Sequence, residues 1–157
     1  MIDSIVAQTP AHFRVRLGRM SLLQYGICSF IGDVPFALRY PGAMSYQVTD
    51  ADTAAQVGSG DVPVLATPRL IAWLEAATVQ AAAPFTGPGE TTVGTAVRIE
   101  HRRATHVGGS VEVTAEASPI DGRRLTFQVE AIDDSGQLVA RGEIDRVVVD
   151  RQKFLAH

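Results

Sequence analysis

Two periods run along the chain. From Val93 onward apolar and polar residues alternate: Val93, Thr95, Val97 and Ile99 against Gly94, Ala96, Arg98 and Glu100. The same period of two recurs in Val111, Val113, Ala115 and Ala117, then in Leu125, Phe127, Val129 and Ala131, and in a last run from about Leu138 to Val149. Each run predicts a strand with one covered face. Gly108-Gly109, Asp121-Gly122 and Asp133-Asp134-Ser135-Gly136 supply the turns between them. Ahead of the strands, Thr67 to Ala83 is almost entirely apolar and rich in good helix formers. Thr67 is suited to accept from the free N–H groups of the first turn, and Pro68 to the first helical position. The run predicts a helix of about four to five turns, buried on most sides. Its angular spacing puts Arg69, Trp73, Ala76 and Gln80 on one face and Thr67, Leu70, Ile71, Leu74 and Thr78 on the other.

Four long strands at hairpin spacing cannot leave their apolar face in water, and the Thr67 helix is long and apolar enough to cover it. Tyr46 and Val48 predict a short strand further upstream, and Asp52 to Val57 a helical turn that Gly58-Ser59-Gly60 breaks. The order of strand, helix and four antiparallel strands is that of an α+β hotdog fold, an antiparallel β-sheet wrapped around a central α-helix. No glycine pattern of a Rossmann or P-loop nucleotide site is present.

Three polar residues interrupt these patterns. Glu75 lies on the helix with Ile71, Ala72, Thr78 and Val79 three and four positions away, so no cation of its own helix can pair with it. His101 continues the inward parity of Val93, Val97 and Ile99, provided the strand runs that far without a bulge. Arg146 shares the parity of Leu138, Ala140, Gly142, Ile144 and Val148. The plain alternatives are a surface glutamate, a satisfied core histidine and a strand-end arginine reaching solvent. What favours a site is that all three arise on elements expected to pack together. Thr67 and Glu75 are eight residues apart, roughly 12 Å along a helix. A site using both therefore favours two subunits, the helix start of one near the glutamate of the other.

Composition narrows the field. The 157 residues suffice for one sizeable core, 46% are hydrophobic and 20% charged, and the net charge of −3 gives no sign of a nucleic-acid partner. A single cysteine, Cys28, excludes an intramolecular disulfide, and His12, His101, His106 and His157 show no metal-ligand spacing. The expected setting is the cytoplasm, with no membrane span. Arg14, Arg16 and Arg19 ahead of the apolar run Met20 to Ile31 have the order of a signal peptide. Gln24 within the run, Asp33 after it and the lack of a small-x-small site go against export. The expected division is an N-terminal extension over residues 1–43 and a folded domain over 44–157, with Met44 as a functional start.

From about Tyr46 to Phe154 the chain resembles the fluoroacetyl-CoA thioesterase-like branch of the hotdog thioesterases. The resemblance rests on Val64-Leu65-Ala66-Thr67-Pro68 through Glu75, on Gly89-Glu90-Thr91-Thr92-Val93-Gly94-Thr95 through His101, on Ala104-Thr105, on Asp121 to Leu125, and on Gly142 through Arg146, Val149 and Phe154. It implies an acyl-CoA thioesterase that hydrolyses a small acyl thioester without a cofactor, CoA being part of the substrate. Thr67, Glu75 and His101 take the catalytic positions, with Gly94 and Arg146 beside the substrate. Glu75 would activate water or attack the carbonyl, Thr67 and the helix start would polarise the carbonyl, and His101 would orient it or relay a proton. The implied assembly is a homodimer, with pairing into tetramers left open. Two departures stand out. The stretch Gly58 to Pro63 carries no aromatic where the fluoroacetyl enzyme has a phenylalanine lid, which argues against fluoroacetyl selectivity. Arg102 and Arg103 replace a small or apolar pair, either to meet the CoA phosphates or simply as solvated charges. The rival is a non-catalytic acyl-CoA or acyl-group binding module on the same scaffold, and a third reading is a hotdog hydratase or dehydratase.

Overall fold

The inward positions of the strands define the core. Val111, Val113 and Ala115 of β3 (Ser110–Ala117), and Leu125, Phe127, Val129 and Ala131 of β4 (Arg124–Asp133), are all buried, as their alternation predicts. On β5 (Leu138–Asp150) the inward set is Ala140, Ile144, Arg146 and Val148. A computed structural model describes residues 43–118 and 121–156; the extension expected over 1–43, Ala43 apart, lies outside the described residues. With β1 (Met44–Gln47) and β2 (Glu90–His101), the strands form one antiparallel sheet in the order β1-β3-β4-β5-β2. Among the described residues three α-helices accompany it: α1 (Ala54–Val57), α2 (Thr67–Ala81) and α3 (Arg151–Leu155).

Helix α2 lies across the inner face of the sheet, against β3, β4 and β2. Leu70, Leu74 and Ala77 are fully buried there, and each leucine contributes about 1.5–3 kcal/mol by leaving water. Trp73 is buried too, not on the opposite face as its helical angle suggests. Its ring stands at the flank of the buried stripe and is long enough to stack on Tyr46 of β1, with centroids 4.5 Å apart and planes 1° from parallel. Nor is α2 covered on most sides. The sheet hides one stripe, while Pro68, Ala72 and Val79 remain exposed, with Ile71, Glu75 and Ala76 half-covered along its margins.

Strand β2 departs from simple alternation in a way that shapes the site. Gly94 faces Arg146 on β5 and Ala96 faces Asp145, so Thr95 is an extra residue, a β-bulge. Directly opposed residues share a face. Thr92 and Gly94 therefore point inward before the bulge, and Val97, Ile99 and His101 after it. Val93, expected inward, instead pairs with Val147 on the outer face. Strict alternation would separate Gly94 from His101. The bulge puts both on the side that holds α2.

Candidate active site

The start of α2 departs from the expected cap. Ala66 is the cap residue, with no side-chain acceptor, and Thr67 is already helical. Its hydroxyl is thus released from capping, and its Oγ1 lies 2.9 Å from Nδ1 of His101 at the end of β2. The other ring nitrogen, Nε2, is 3.0 Å from the carbonyl oxygen of Arg103. A carbonyl only accepts, so Nε2 carries the proton, Nδ1 is bare and Thr67 donates to it. Burial pushes the His101 pKa below the ordinary histidine value, and the Arg103 carbonyl, which favours the cation, opposes this only in part. A neutral imidazole follows at neutral pH. Among the N–H groups of the first turn, Pro68 has none and that of Leu70 is bonded to the Ala66 carbonyl. Those of Thr67 and Arg69 remain as donors at the positive end of the helix.

This pair stands at the mouth of an open pocket of about 360 Å³ between Gly60, Val62, Leu65 and Arg102-Arg103. The stretch Gly58 to Pro63 is exposed along its length and offers only Val62 as a sizeable apolar side chain. Arg102 and Arg103 rim the opening. Arg102 is 3.5 Å from the Glu100 carboxylate, which Arg141 shares at the same distance, and Arg103 donates to the Gln137 amide at 3.4 Å. A larger hollow of about 850 Å³ lies around Arg98, Glu100, Glu130, Arg141 and Glu143. Its arginines are paired with carboxylates, Arg98 reaching Glu143 at 3.3 Å and Asp145 at 3.0 Å, and it holds none of the expected catalytic groups.

Two turns further along α2, Glu75 meets a cation from β5, since its own helix places none within reach. Its Oε1 is 3.6 Å from Nη1 of Arg146, whose side chain is 7% exposed against 39% for the glutamate. The guanidinium also donates to Thr92 Oγ1 at 2.9 Å, Thr78 Oγ1 at 3.2 Å and the Thr92 carbonyl at 3.1 Å. Burial lowers the Arg146 pKa and the Glu75 charge works the other way; a guanidinium nonetheless stays charged. Gly94 lies beneath the carboxylate, where a Cβ would come within 2.6 Å of Oε1, so a side chain at 94 would displace Glu75.

The expected residues thus form two clusters within one protomer. Thr67 and His101 are joined directly, and Glu75, Arg146 and Gly94 make the second, about 12 Å further along the helix axis. Thr78 and Thr92 escaped the sequence reading. Their signal is that a buried arginine needs acceptors and that threonines are the polar residues on the faces around it. Among the described residues no group of three or more His, Cys, Asp or Glu is placed to hold a metal ion. No described helix is long and apolar enough to cross a membrane.

Comparison with known proteins bears on the fold and the family. The family described as fluoroacetyl-CoA-specific thioesterase matches residues 48–152. The fluoroacetyl-CoA thioesterase of Streptantibioticus cattleyicolor is 40% identical over 93 residues, a stretch that spans 59% of this chain and 66% of that protein. A crystal structure of a mutant fluoroacetyl-CoA-specific thioesterase with fluoroacetate and CoA superposes with a TM-score of 0.67 at 33% identity, covering 73% of this chain and 93% of that one. A thioesterase superfamily member from Thermus thermophilus has a TM-score of 0.68 at 29% identity, over 73% of this chain and 84% of its own. The fluoroacetyl-CoA thioesterases among them hydrolyse a thioester, and the comparisons lend no support to a non-catalytic binding module. The chain belongs to the fluoroacetyl-CoA-specific thioesterase family of hotdog-fold thioester hydrolases.

Proposed function

We propose that this protein hydrolyses the thioester of a small acyl-CoA to the free acid and CoA, with Thr67, Glu75 and His101 as catalytic residues. The observation that carries this reading is the pairing of a hydroxyl with a neutral, tautomer-fixed imidazole at a pocket mouth, on the same helix that holds the half-covered Glu75 carboxylate against a buried arginine. Glu75 takes a proton from water as the hydroxide adds to the carbonyl carbon and the C–S bond then breaks, or its carboxylate adds directly and expels CoA thiolate to leave an anhydride that water opens to the free acid; a carboxylate serves either route. Since the Thr67 proton is directed at Nδ1, the oxyanion is met by the N–H groups of Thr67 and Arg69. His101 then relays the proton that the departing thiolate needs. Gly94 lets the acyl group lie close to the backbone, and Arg102 and Arg103, exposed at the rim, meet the CoA phosphates.

The functional unit in this proposal is a homodimer. Strand β2 is a 12-residue edge strand with no described neighbour on its free side, and half-exposed Val97 lies on it. Such an edge invites pairing. A second copy laid antiparallel along it, centred near Val97 and Arg98, brings Gly94 opposite the partner's His101. It also covers the exposed stripe Pro68, Ala72 and Val79. Each site then combines the Thr67–His101 pair of one protomer with Glu75 of the other, which answers the 12 Å separation. The domain runs over 44–157 behind an extension over 1–43, and the setting is the cytoplasm. A panel of short, branched and aromatic acyl-CoAs, read by free thiol release, tests the activity. Turnover of at least one small acyl-CoA, lost in Glu75→Gln, supports the reading; binding without turnover across the panel contradicts it.

A further inference from the structure

We infer that Arg146 is a positioning residue, which sets where the Glu75 carboxylate stands and so governs turnover instead of substrate affinity. This rests on the reading of Glu75 as the catalytic carboxylate. A substrate-binding arginine needs an exposed head and spare donors, whereas Arg146 is 6% exposed and its guanidinium is engaged from three directions by the protein. Nε is fixed by the Thr92 hydroxyl and Nη2 by the Thr92 carbonyl, both on β2, while Nη1 is fixed by the Thr78 hydroxyl on α2. A planar fork held at three points cannot swing toward a ligand. Thr78 is itself oriented, because its hydroxyl donates to the Glu75 carbonyl at 2.7 Å and so turns a lone pair to the guanidinium.

What this clamp presents is a single charge in a fixed place. Among the described residues Arg146 is the cation within ion-pair distance of Glu75. The residue directly across from Arg146 on β2 is Gly94, and the missing side chain there leaves the space in which guanidinium and carboxylate meet. Thr78, Thr92 and Gly94 thus act together through Arg146, and two of the three have no other evident task.

The test is steady-state hydrolysis of an accepted acyl-CoA by the full chain, comparing Thr92→Val, Thr78→Val, Arg146→Lys and Arg146→Met. Because a displacement of about 1 Å costs up to roughly 100-fold, Arg146→Met should lower kcat about 30-fold or more with KM changed less than about twofold. Arg146→Lys should recover only part, and each valine variant should lose about three- to tenfold in kcat at unchanged KM. Combined with Glu75→Gln, the valine substitutions should lower the residual rate no further, since a group acting only through Glu75 has nothing left to act on. A raised KM at parental kcat in Arg146→Met, parental kcat in both valine variants, or full additivity with Glu75→Gln overturns the inference. If Arg146→Met does not fold, the valine variants decide alone. Full activity in Glu75→Gln itself would instead remove the catalytic reading beneath it.

Discussion

The two clusters on α2 are built on opposite terms. The Thr67–His101 end is neutral, half-open to solvent and held by two hydrogen bonds, one of them to a backbone carbonyl. The Glu75–Arg146 end is charged, and its cation is sunk in the interior with every partner supplied by protein. A neutral dyad at an opening can exchange protons with a substrate at little cost in solvation. A carboxylate that must keep one position needs the rigidity that a buried, multiply bonded guanidinium provides. The division of labour in the proposed reaction, proton relay at one end and attack at the other, follows from this difference.

The comparison can be broken at either end. The largest effect is expected from His101→Ala, which removes the acceptor of the Thr67 proton and should lower kcat by about two or more orders of magnitude with the fold retained. Parental turnover would remove His101 from the chemistry. Gly94→Ala strikes the charged end, since the added Cβ would overlap Glu75 Oε1. About ten- to 100-fold loss of kcat is expected from the displaced carboxylate, checked by the same thiol-release assay; an active Gly94→Ala enzyme would show that Glu75 can move freely.

Acid should reach the neutral end first. The His101 pKa is lowered by burial, so the folded state favours the uncharged ring and the unfolded chain binds the proton more readily. The stability contributed by the neutral ring is therefore present above the unfolded value of about 6.5 and is lost as pH falls below it. Activity should fall over the same range as Nδ1 becomes protonated, and a pH profile that is flat there would contradict the assignment. The smallest effect is on stability. Because Ala66 and not Thr67 caps α2, Thr67→Ala should change the unfolding free energy by less than about 0.5 kcal/mol. A cap would have cost about 1 kcal/mol, which thermal or denaturant unfolding distinguishes readily.

Most of the strand pattern was legible because alternation is a local signal: every inward residue expected on β3 and β4 is buried except Ala117, half-buried at the end of β3. His101 was found the same way, though the reading survived a bulge it could not see. The extra residue at Thr95 lies upstream, so it inverted Val93 and left 97, 99 and 101 in place. What local pattern could not supply was tertiary. The Tyr46 stack that buries Trp73, the switch of Thr67 from cap to hydrogen-bond donor, and the cross-strand gap at Gly94 all depend on which elements meet. Arg146 was singled out by parity, but its partners Thr78 and Thr92 carry no sequence signal until the arginine is seen to be buried. The expectation of a helix covered on most sides failed in an informative way, since the stripe left bare is the one a second copy would cover.

The central claim, that each site joins the hydroxyl–imidazole pair of one protomer to the carboxylate of its partner, is tested most directly by mixing two inactive variants. His101→Ala and Glu75→Gln, each nearly silent alone, should on co-refolding form mixed dimers with one intact site out of two. Thiol release should then recover to about a quarter of the parental rate, the statistical share for random pairing in a two-fold dimer. A mixture as inactive as its components, with dimers confirmed by light scattering, would place all three groups in one protomer and contradict the account.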